Sequence, residues 1–370
     1  MKKALAIIGG VILALVVAVA AIWGREIATI STVKSVDGNK YLYTMEYKAK
    51  YDLDDVIAAD IQDNTGILAY IVGRIGKGIP IKVSAPKGVE VNCTSFQAAK
   101  AGTDGFLYGR NYDFFKNPTM VTISHPKNGY ASIGVSDMSH FGYSLDKLPE
   151  KFLSKALCLA AIYAPVDGMN EKGLCTSIMA LPKMPAQQES GKHKISTTTV
   201  MRLWLDRCAT VDEALELLSQ YDVRHDVAAG SGYHYMVADA LGACAVVEFD
   251  KEDGWKTMIV RKAEDAKYMH VTNHLLDPKY YSETPDQSVG NTHSRSWWRY
   301  ATAGEYLASH EGTLTADQAA ECLALVHWKD LVWDNGMVED TQYSCVYDQQ
   351  ELTLSIRNWN DYEKAVSFSL

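Results

Sequence analysis

Hydrophobic positions recur at helical spacing in four stretches of the chain. The pattern predicts helices over residues 197–208, 210–218, 294–309 and 315–326. The second of these opens with Thr210-Val211-Asp212-Glu213, the sequence of a capping box. These amphipathic segments each need a sheet or another helix against which to bury their apolar side.

Other stretches alternate between apolar and polar residues, as strands do. Tyr233–Asp239 and Ala245–Phe249 read as two strands joined by a short turn at Leu241-Gly242. Cys345–Tyr347 and Leu352–Arg357 read as a closing hairpin. Strands lie in neighbouring groups along the chain, and so do helices. This order favours an α+β fold of antiparallel sheets covered by helices over a repeating βαβ fold.

The first 24 residues stand apart from this pattern. Lys2 and Lys3 precede an uncharged, largely apolar run over residues 4–23, about the 20 residues that cross a bilayer. The run contains Ala18-Val19-Ala20, a small-x-small sequence of the kind cut by signal peptidase. A cleaved signal peptide and a retained membrane anchor both remain open. Either one places the rest of the protein outside the cytoplasm, secreted or membrane-anchored.

Residues 25–92 form a second segment. Apolar residues fall roughly at helical spacing, with Gly66 and Gly73 interrupting them, and irregular chain follows at Gly76, Gly78, Pro80 and Pro86. The apolar positions are Val56, Ile57, Ile61, Leu68, Val72 and Ile75. The segment is interpreted either as a small packed subdomain or as a pro-segment that covers a site in residues 93–370 and also touches lipid.

Composition narrows the function. The chain has 370 residues, of which 47% are hydrophobic, and a formal net charge of -9 without a basic patch, which argues against nucleic acid as a partner. Its seven cysteines are an odd number, so an exported chain would keep at least one free thiol. They include no CxxC pair, which argues against a zinc site. Few or no disulfides are expected.

Cys93 is the residue with the most chemical content. It lies in Asn92-Cys93-Thr94-Ser95-Phe96, and Gly109-Arg110-Asn111-Tyr112-Asp113-Phe114 follows less than about twenty residues later. If Cys93 became a new N-terminus, its α-amine, with an unperturbed pKa of about 7.7–8.0, could serve as the base for its own thiol. The arginine and the carboxylate would then be close enough in sequence to support that pair.

Six motifs occur in order along the chain. They are Cys93-Thr94-Ser95-Phe96, Gly109-Arg110-Asn111-Tyr112-Asp113, Asp167-Gly168-Met169-Asn170-Glu171-Lys172-Gly173-Leu174, Val271-Thr272-Asn273, Ser294-Arg295 and Tyr343-Ser344-Cys345-Val346-Tyr347-Asp348. Together they resemble the choloylglycine hydrolase family, which includes bile salt hydrolases and penicillin V acylases. The Cys-Thr-Ser start looks more like that of the related lysosomal amidases, acid ceramidase and N-acylethanolamine acid amidase. The resemblance spans essentially all of residues 93–370.

The resemblance implies an N-terminal-nucleophile hydrolase with a four-layer αββα fold. It implies that the chain is cut between Asn92 and Cys93, with the thiol attacking the preceding carbonyl. The mature enzyme would then cleave a linear N-acyl amide, a small-molecule substrate. No metal or organic cofactor is implied, because one residue supplies both nucleophile and base.

The same resemblance assigns roles to five side chains. Cys93 attacks the substrate carbonyl, and its α-amine moves the proton. Arg110 favours the thiolate. Asp113 orients the amine, Asn273 donates its side-chain N–H to the oxyanion, and Arg295 ties the network together.

Each of these residues also has a purely structural interpretation. Arg110 and Asp113 could form a surface salt bridge, Asn273 could satisfy a turn, and Arg295 could be an exposed charge at a helix start.

One position departs from the bile salt hydrolases. They carry a second asparagine shortly after the Asn-Glu-Lys-Gly motif, and this chain has Ala180 there. The backbone N–H of Ala180 can still donate to the oxyanion, but the resemblance does not assign bile salts as the substrate of this chain.

Three other functions remain open on sequence alone. An acyltransferase on the same scaffold would pass the acyl group to an amine or alcohol instead of water. A papain-like protease would pair the cysteine with one of His234, His270 and His274. A membrane-anchored binding protein would use an inactive hydrolase scaffold.

Overall fold

A computed structural model of the protein describes residues 17–36, 38–77, 92–182, 184–227, 230–281, 291–332, 336 and 338–370. Residues 4–16 of the apolar run, the irregular chain at Gly78, Pro80 and Pro86, and the Lys2-Lys3 pair lie outside these ranges. The closing part of the run, residues 17–23, is described.

Nineteen strands form two large sheets and one small one within the described residues. In chain order they are β1 (Lys34–Val36), β2 (Asn39–Tyr47), β3 (Asn92–Lys100), β4 (Phe106–Phe114), β5 (Thr119–Ser124), β6 (Ser132–Asp137), β7 (Asp167–Asn170), β8 (Cys175–Pro182), β9 (Lys194–Ser196), β10 (Asp222–Arg224), β11 (Ser231–Ala238), β12 (Cys244–Asp250), β13 (Lys256–Arg261), β14 (Tyr268–Val271), β15 (Thr313–Leu314), β16 (Leu331–Val332), β17 (Val338–Asp348), β18 (Thr353–Asn358) and β19 (Val366–Ser369).

The first sheet has nine strands in the order β1-β2-β5-β6-β7-β8-β11-β12-β13. The second has eight, with β14-β3-β4-β17-β18-β19 as its path, β15 paired with β3 and β16 paired with β17. Within the two large sheets, pairing is antiparallel except between β2 and β5 and between β15 and β3. β9 and β10 form a separate parallel pair. Consecutive strands mostly pair with each other, as the grouped strand signals in the sequence predicted.

Helices cover the outer face of each large sheet. They are α1 (17–30), α2 (Leu53–Ala58), α3 (Asn64–Gly76), α4 (Thr197–Arg207), α5 (Val211–Leu218), α6 (Asn291–Ser309) and α7 (Ala316–Leu325), with 3₁₀ segments at Met138–Phe141, Phe152–Tyr163 and Lys251–Asp253. α6 and α7 pack on the eight-stranded sheet. α4, α5 and the longest 3₁₀ segment pack on the nine-stranded sheet. The result is the four-layer αββα arrangement, so the predicted fold is confirmed.

Two apolar cores hold these layers together. The larger fills the space between the sheets and continues under α4, and it includes Tyr108, Met179, Trp204 and Tyr235. The smaller lies between the eight-stranded sheet and α6 and α7. Its members are Phe96, Ala98, Leu107, Ala303, Leu307, Leu314, Ala319, Ala320, Cys322, Leu323, Val326 and Val346. Strands in the middle of the molecule are therefore buried on both faces, which fixes their register.

The segment before Cys93 is part of this architecture. β2 runs parallel to β5 in continuous register from Leu42↔Thr119 to Tyr47↔Ser124. Tyr51 donates its hydroxyl to both carboxylate oxygens of Asp206 on α4, each at 2.9 Å. β1 and β2 thus extend the nine-stranded sheet.

Several details differ from the sequence expectations. Gly66 and Gly73 lie inside α3 and do not interrupt it, and Gly76, expected in irregular chain, is the last residue of this helix. The break falls earlier, where α2 ends and Asp60 adopts a left-handed φ of 52°. The Phe152–Tyr163 3₁₀ segment carries no helical period of 3.6 and was not predicted. The closing hairpin is followed by one further strand, β19, which pairs with β18.

Among the described residues, no helix combines the length and apolarity needed to cross a membrane. Residues 17–30 form α1, and the Trp23 indole N–H donates to the Ile75 carbonyl on α3 at 3.0 Å. All seven cysteines are free and buried.

The β2–β5 pairing predicts how stability depends on the early segment. In a Cys93→Ala background, Met45→Ala should lower the free energy of unfolding by about 2–5 kcal/mol, because Met45 is fully buried. Glu46→Ala, at the next and exposed position of the same strand, should change it by less than about 0.5 kcal/mol. Urea unfolding measures both. Equal effects of the two changes would contradict a β2 that packs into the core.

Candidate active site

Cys93 lies at the start of β3 and is 1% exposed. β3 pairs with β4 so that Cys93 faces Tyr112, Ser95 faces Arg110, and Asn92 faces Asp113. Because side chains alternate along a strand, the thiol and Arg110 share the face toward the nine-stranded sheet. Asn92 and Asp113 share the opposite face, toward α6. The pairing of β3 with β4 thus places Cys93 and Arg110 on one face of the sheet and Asp113 on the other face.

The main-chain nitrogen of Cys93 is itself held in the site. Its N–H donates to Asn273 Oδ1 at 2.6 Å. Asn273 in turn donates its side-chain N–H to the Ala180 carbonyl at 2.8 Å and its backbone N–H to Ser296 Oγ at 2.7 Å. Asn273 therefore connects β3 of one sheet, β8 of the other sheet and α6.

Asp113 is fully buried on β4, opposite Asn92. Thr341 donates its hydroxyl to Asp113 Oδ1 at 2.6 Å, whereas Oδ2 lies 3.8 Å from Arg299 Nη1 and has no hydrogen-bond partner within the described chain. Burial raises the pKa of Asp113 to about 6, although the Arg299 charge opposes the shift. One carboxylate oxygen is thus available to a new donor.

Arg110 crosses the space between the sheets. One Nη donates to the Ile178 carbonyl at 2.8 Å, and Nε lies 3.7 Å from Asp167 Oδ2. Asp167 also accepts the hydroxyls of Tyr343 and Tyr347. In the continuous chain, burial raises the pKa of the Cys93 thiol, and the Arg110 charge is the strongest influence in the other direction. The Arg110 charge therefore acts in favour of the thiolate but does not outweigh burial.

The arginine of α6 that enters this network is Arg299. Its Nη atoms donate to the Cys93 carbonyl, to Thr94 Oγ1 at 3.1 Å and to Asn273 Oδ1 at 2.8 Å. Arg295, the residue chosen from the sequence, is one turn earlier and half-buried, with its guanidinium carbon 5.9 Å from the centre of the Trp328 ring. Both lie on one face of α6, because they are four residues apart.

The structure brings together Cys93, Arg110, Asp113 and Asn273. Ala180 also joins them, but through its carbonyl, which accepts the Asn273 side chain. The Asn273 side-chain N–H that is predicted to bind an oxyanion donates to this carbonyl in the continuous chain. Sequence reasoning missed Arg299, and the only available signal was its spacing from Arg295.

A buried His–Glu pair supports the turn that carries Asn273. His234 Nε2 lies 2.8 Å from the Thr272 carbonyl, and Nδ1 lies 3.1 Å from Glu248 Oε1. Glu248 also accepts the backbone N–H groups of Leu276 at 2.8 Å and Asp277 at 2.9 Å. The pair therefore holds both ends of the 272–277 turn in place.

The three histidines weighed for a papain-like pair have other partners. His234 binds Glu248 and Thr272. His270 stacks on Tyr300 at 4.0 Å between ring centres, and burial lowers its pKa to about 4. His274 Nδ1 lies 2.8 Å from Ser296 Oγ. These contacts favour a supporting role for each histidine over a role as the base for Cys93.

Comparison with known families agrees with this geometry. The sequence profile described as acyl-coenzyme A:6-aminopenicillanic acid acyl-transferase matches residues 149–360, more than half of the chain. The chain belongs to this family. The relation to choloylglycine hydrolases and other N-terminal-nucleophile hydrolases is thereby confirmed. The matched range includes Ala180, Asn273, Arg295 and Arg299 but begins after Cys93, so the placement of the nucleophile rests on the site geometry.

Solved structures show the same fold. Two variants of the conjugated bile acid hydrolase from Clostridium perfringens superpose with TM-scores of 0.55 and 0.54 at 16% identity, each covering 75% of this chain and 92% of that one. Penicillin V acylase from Agrobacterium tumefaciens is also similar, with a TM-score of 0.48 at 17% identity over 72% of this chain and 83% of that one. The bile acid hydrolase superpositions identify the N-terminal-nucleophile hydrolase fold.

The raised pKa of Asp113 predicts a pH dependence of stability. The native state keeps the Asp113 proton between the unfolded pKa of 3.8 and the folded pKa of about 6. The resulting stabilisation is present below the lower value and is lost as the pH rises through the higher one. Relative to the Asp113→Asn variant, the free energy of unfolding of the wild type should fall by about 3 kcal/mol as the pH rises across this window.

Urea unfolding in a Cys93→Ala background at about pH 4 and about pH 7 measures this difference. Asp104→Asn, at an exposed position, is the matched control and should leave the pH dependence unchanged. A parallel pH dependence in Asp113→Asn and its parent would show that Asp113 titrates as an ordinary carboxylate.

Proposed function

We propose that the protein is a linear amide hydrolase that cleaves an N-acyl amide with Cys93 as its N-terminal nucleophile. The observation that carries this proposal is that the site is arranged around the backbone nitrogen of Cys93 as well as its sulfur. That nitrogen donates to Asn273 Oδ1 at 2.6 Å. Asp113 lies on the neighbouring strand opposite Asn92, and its Oδ2 has no hydrogen-bond partner within the described residues. A free α-amine at this position would keep the Asn273 acceptor, and we assign the Asp113 oxygen to it as a second one.

The proposed reaction uses these groups in order. The α-amine takes the thiol proton, and the sulfur attacks the substrate carbonyl to form a tetrahedral oxyanion. The amine then returns the proton to the leaving nitrogen, which departs and leaves a thioester on Cys93. Water, deprotonated by the same amine, hydrolyses the thioester. Arg110 favours the thiolate, and Asp113 and Asn273 orient the amine.

Oxyanion stabilisation requires one rearrangement. Asn273 Nδ2 donates to the Ala180 carbonyl at 2.8 Å in the continuous chain. A substrate oxyanion would have to attract this N–H away from the Ala180 carbonyl, and the Ala180 N–H is the second candidate donor. Charge developing on the oxyanion favours that exchange, because charge-assisted hydrogen bonds are stronger than neutral ones.

The amine has to be released first, by cleavage of the Asn92–Cys93 bond. The thiol is the candidate nucleophile for this cleavage as well. Arg299 supports the geometry, since it donates to the carbonyl of Cys93 and to the side chain of Asn92 at 3.0 Å. Both residues are buried, so the bond and the groups around it are fixed relative to each other.

An acyltransferase is the second candidate. The family profile that matches the chain is itself described as an acyl-transferase, and both reactions share the thioester intermediate. The two differ only in whether water or an added amine takes the acyl group. Product analysis with and without an amine acceptor separates them.

We further propose that the protein acts outside the cytoplasm and remains membrane-associated through residues 4–23. Trp23 at the end of the apolar run is bound to α3, and Lys77 forms an ion pair with Glu26 of α1 at 3.0 Å. These contacts support retention of the helix as part of the folded protein. Carbonate extraction of membranes, compared with a chain that starts at residue 25, tests this proposal.

Substitution of Cys93 tests the central claim. Cys93→Ala should abolish both cleavage at Asn92–Cys93 and amide hydrolysis. Cys93→Ser should lose most of the hydrolysis, because a hydroxyl is far harder to ionise than a thiol. Intact mass and N-terminal sequencing follow cleavage. Amine release from conjugated bile salts, penicillin V, N-acylethanolamines, ceramide and acyl-homoserine lactones follows hydrolysis.

Cys158→Ala, at another buried free thiol, is the control and should retain both activities. An intact Cys93→Ala chain that still hydrolyses any of these substrates would refute the proposed nucleophile. A wild-type chain that stays uncut and active would refute the role of the α-amine.

The two arginines of α6 should differ in their effect on hydrolysis. Arg299→Lys should lower kcat/KM at least about 10²-fold, because one ammonium cannot replace the two-nitrogen donation to Cys93 and Asn273. Arg295→Lys should lower it less than about tenfold, since a lysine can still place a cation over Trp328. Rates are measured per free N-terminal cysteine. The reverse ranking would restore Arg295 as the functional arginine.

A further inference from the structure

Asn92 is held as tightly as the residues assigned to hydrolysis. Its side-chain N–H groups lie 2.8 and 2.9 Å from the two carboxylate oxygens of Glu339, and its Oδ1 accepts from Arg299 at 3.0 Å. Asn92 is fully buried, and Glu339 is 2% exposed. After the proposed cleavage, Asn92 would be the last residue of the first fragment and would have no role in turnover of an added substrate, so hydrolysis does not explain these contacts.

Strand register accounts for the position of Glu339. β17 pairs Thr341 with Asp113, and β4 pairs Asp113 with Asn92. Glu339 is two residues before Thr341 on β17 and therefore points to the same face, toward α6. A buried carboxylate requires a partner, and in this arrangement the carboxamide of Asn92 is one.

We propose that Asn92 is the recognition residue for cleavage of the chain, and that Glu339 is a positioning residue for this step. This inference rests on the proposed function. By holding the Asn92 side chain from both ends with Glu339 and Arg299, the site fixes the backbone of Asn92. The carbonyl that the thiol attacks is then presented in one orientation. Misplacement of a reacting group by about 1 Å can cost about 10²-fold in rate.

Cleavage of the Asn92–Cys93 bond needs no reagent other than water. Cys93 Sγ forms a bond to the Asn92 carbonyl carbon, and the carbon–nitrogen bond breaks as the nitrogen takes up the thiol proton. The product is a thioester with a free α-amine on Cys93. Water then hydrolyses the thioester, which regenerates the thiol and leaves Asn92 with a C-terminal carboxylate.

Reciprocal variants of the full chain test the pair. Asn92→Asp sets a carboxylate against Glu339 and removes both donors, so cleavage should slow at least about 10²-fold. Glu339→Gln should slow cleavage less, since its amide oxygen still accepts one N–H. The double variant Asn92→Asp/Glu339→Gln restores a donor opposite an acceptor and should recover most of the rate. Cell-free translation followed by gel electrophoresis gives these rates.

A second measurement separates recognition from a general structural effect. Once matured, Asn92→Asp should match the wild type in kcat and KM per free N-terminal cysteine, because Asn92 is not part of the mature site. The same variant in a Cys93→Ala background is compared with its parent by thermal unfolding. Slow cleavage that tracks only a lower melting temperature, with no recovery in the double variant, would overturn the inference.

Comparison of cleavage in the wild type and in Asn92→Asp separates failure of the proposed function from failure of this inference. An uncut wild-type chain would overturn both the proposed function and this inference. A wild type that is cut, with Asn92→Asp cut at the same rate, would overturn the inference alone. A released fragment one water lighter than the hydrolysed product would show that the Asn92 amide attacked its own carbonyl. That result would replace the positioning role with a nucleophilic one.

Discussion

The structure depends on one constraint: opposite charges are buried around the start of β3, next to Cys93. Arg110, Asp113 and Arg299 are all fully buried within the layers. Charges removed from water are tolerated only when partners compensate for the lost hydration. Each partner here comes from a different element: β7 supplies Asp167, β17 supplies Thr341, and the turn after β14 supplies Asn273. The site is consequently intact only when both sheets and α6 are in register.

The site needs both sheets, and the segment before Cys93 supplies part of the nine-stranded one. β2 pairs along β5, and Tyr51 binds the buried Asp206, which is also 2.6 Å from Arg202. Loss of these contacts would expose the β5 edge and leave Asp206 with fewer compensating donors. The segment before Cys93 therefore completes one of the two sheets between which the candidate site lies.

Local signals predicted much of the fold. The capping sequence at Thr210, the turn at Leu241-Gly242 and the helix opening at Thr315 all act within a few residues, and the structure has α5, the β11–β12 hairpin and α7 there. The 3₁₀ segment at Phe152–Tyr163 was missed because its conformation is imposed by tertiary packing. The same holds for the pairing of β2 with β5, which joins residues that are distant in sequence.

The site divides in a similar way. Cys93, Arg110 and Asp113 lie on two adjacent strands joined by a short connection, so sequence spacing was sufficient to associate them. The choice between Arg295 and Arg299 depends on how α6 is rotated against β3, and a helical repeat places both on one face. The contacts of Asn92 with Glu339 join residues 247 positions apart in sequence, and no pattern along the chain indicates them.

The parallel β2–β5 pairing has a consequence for refolding. If the backbone is cut ahead of Cys93, as proposed, the strand and its partner no longer belong to one molecule. Recovery from full denaturation then becomes a second-order reaction whose rate falls on dilution, whereas the uncut chain refolds at a rate independent of concentration. The persistence of the two-chain protein would be governed by its unfolding barrier rather than by an equilibrium with the unfolded chain.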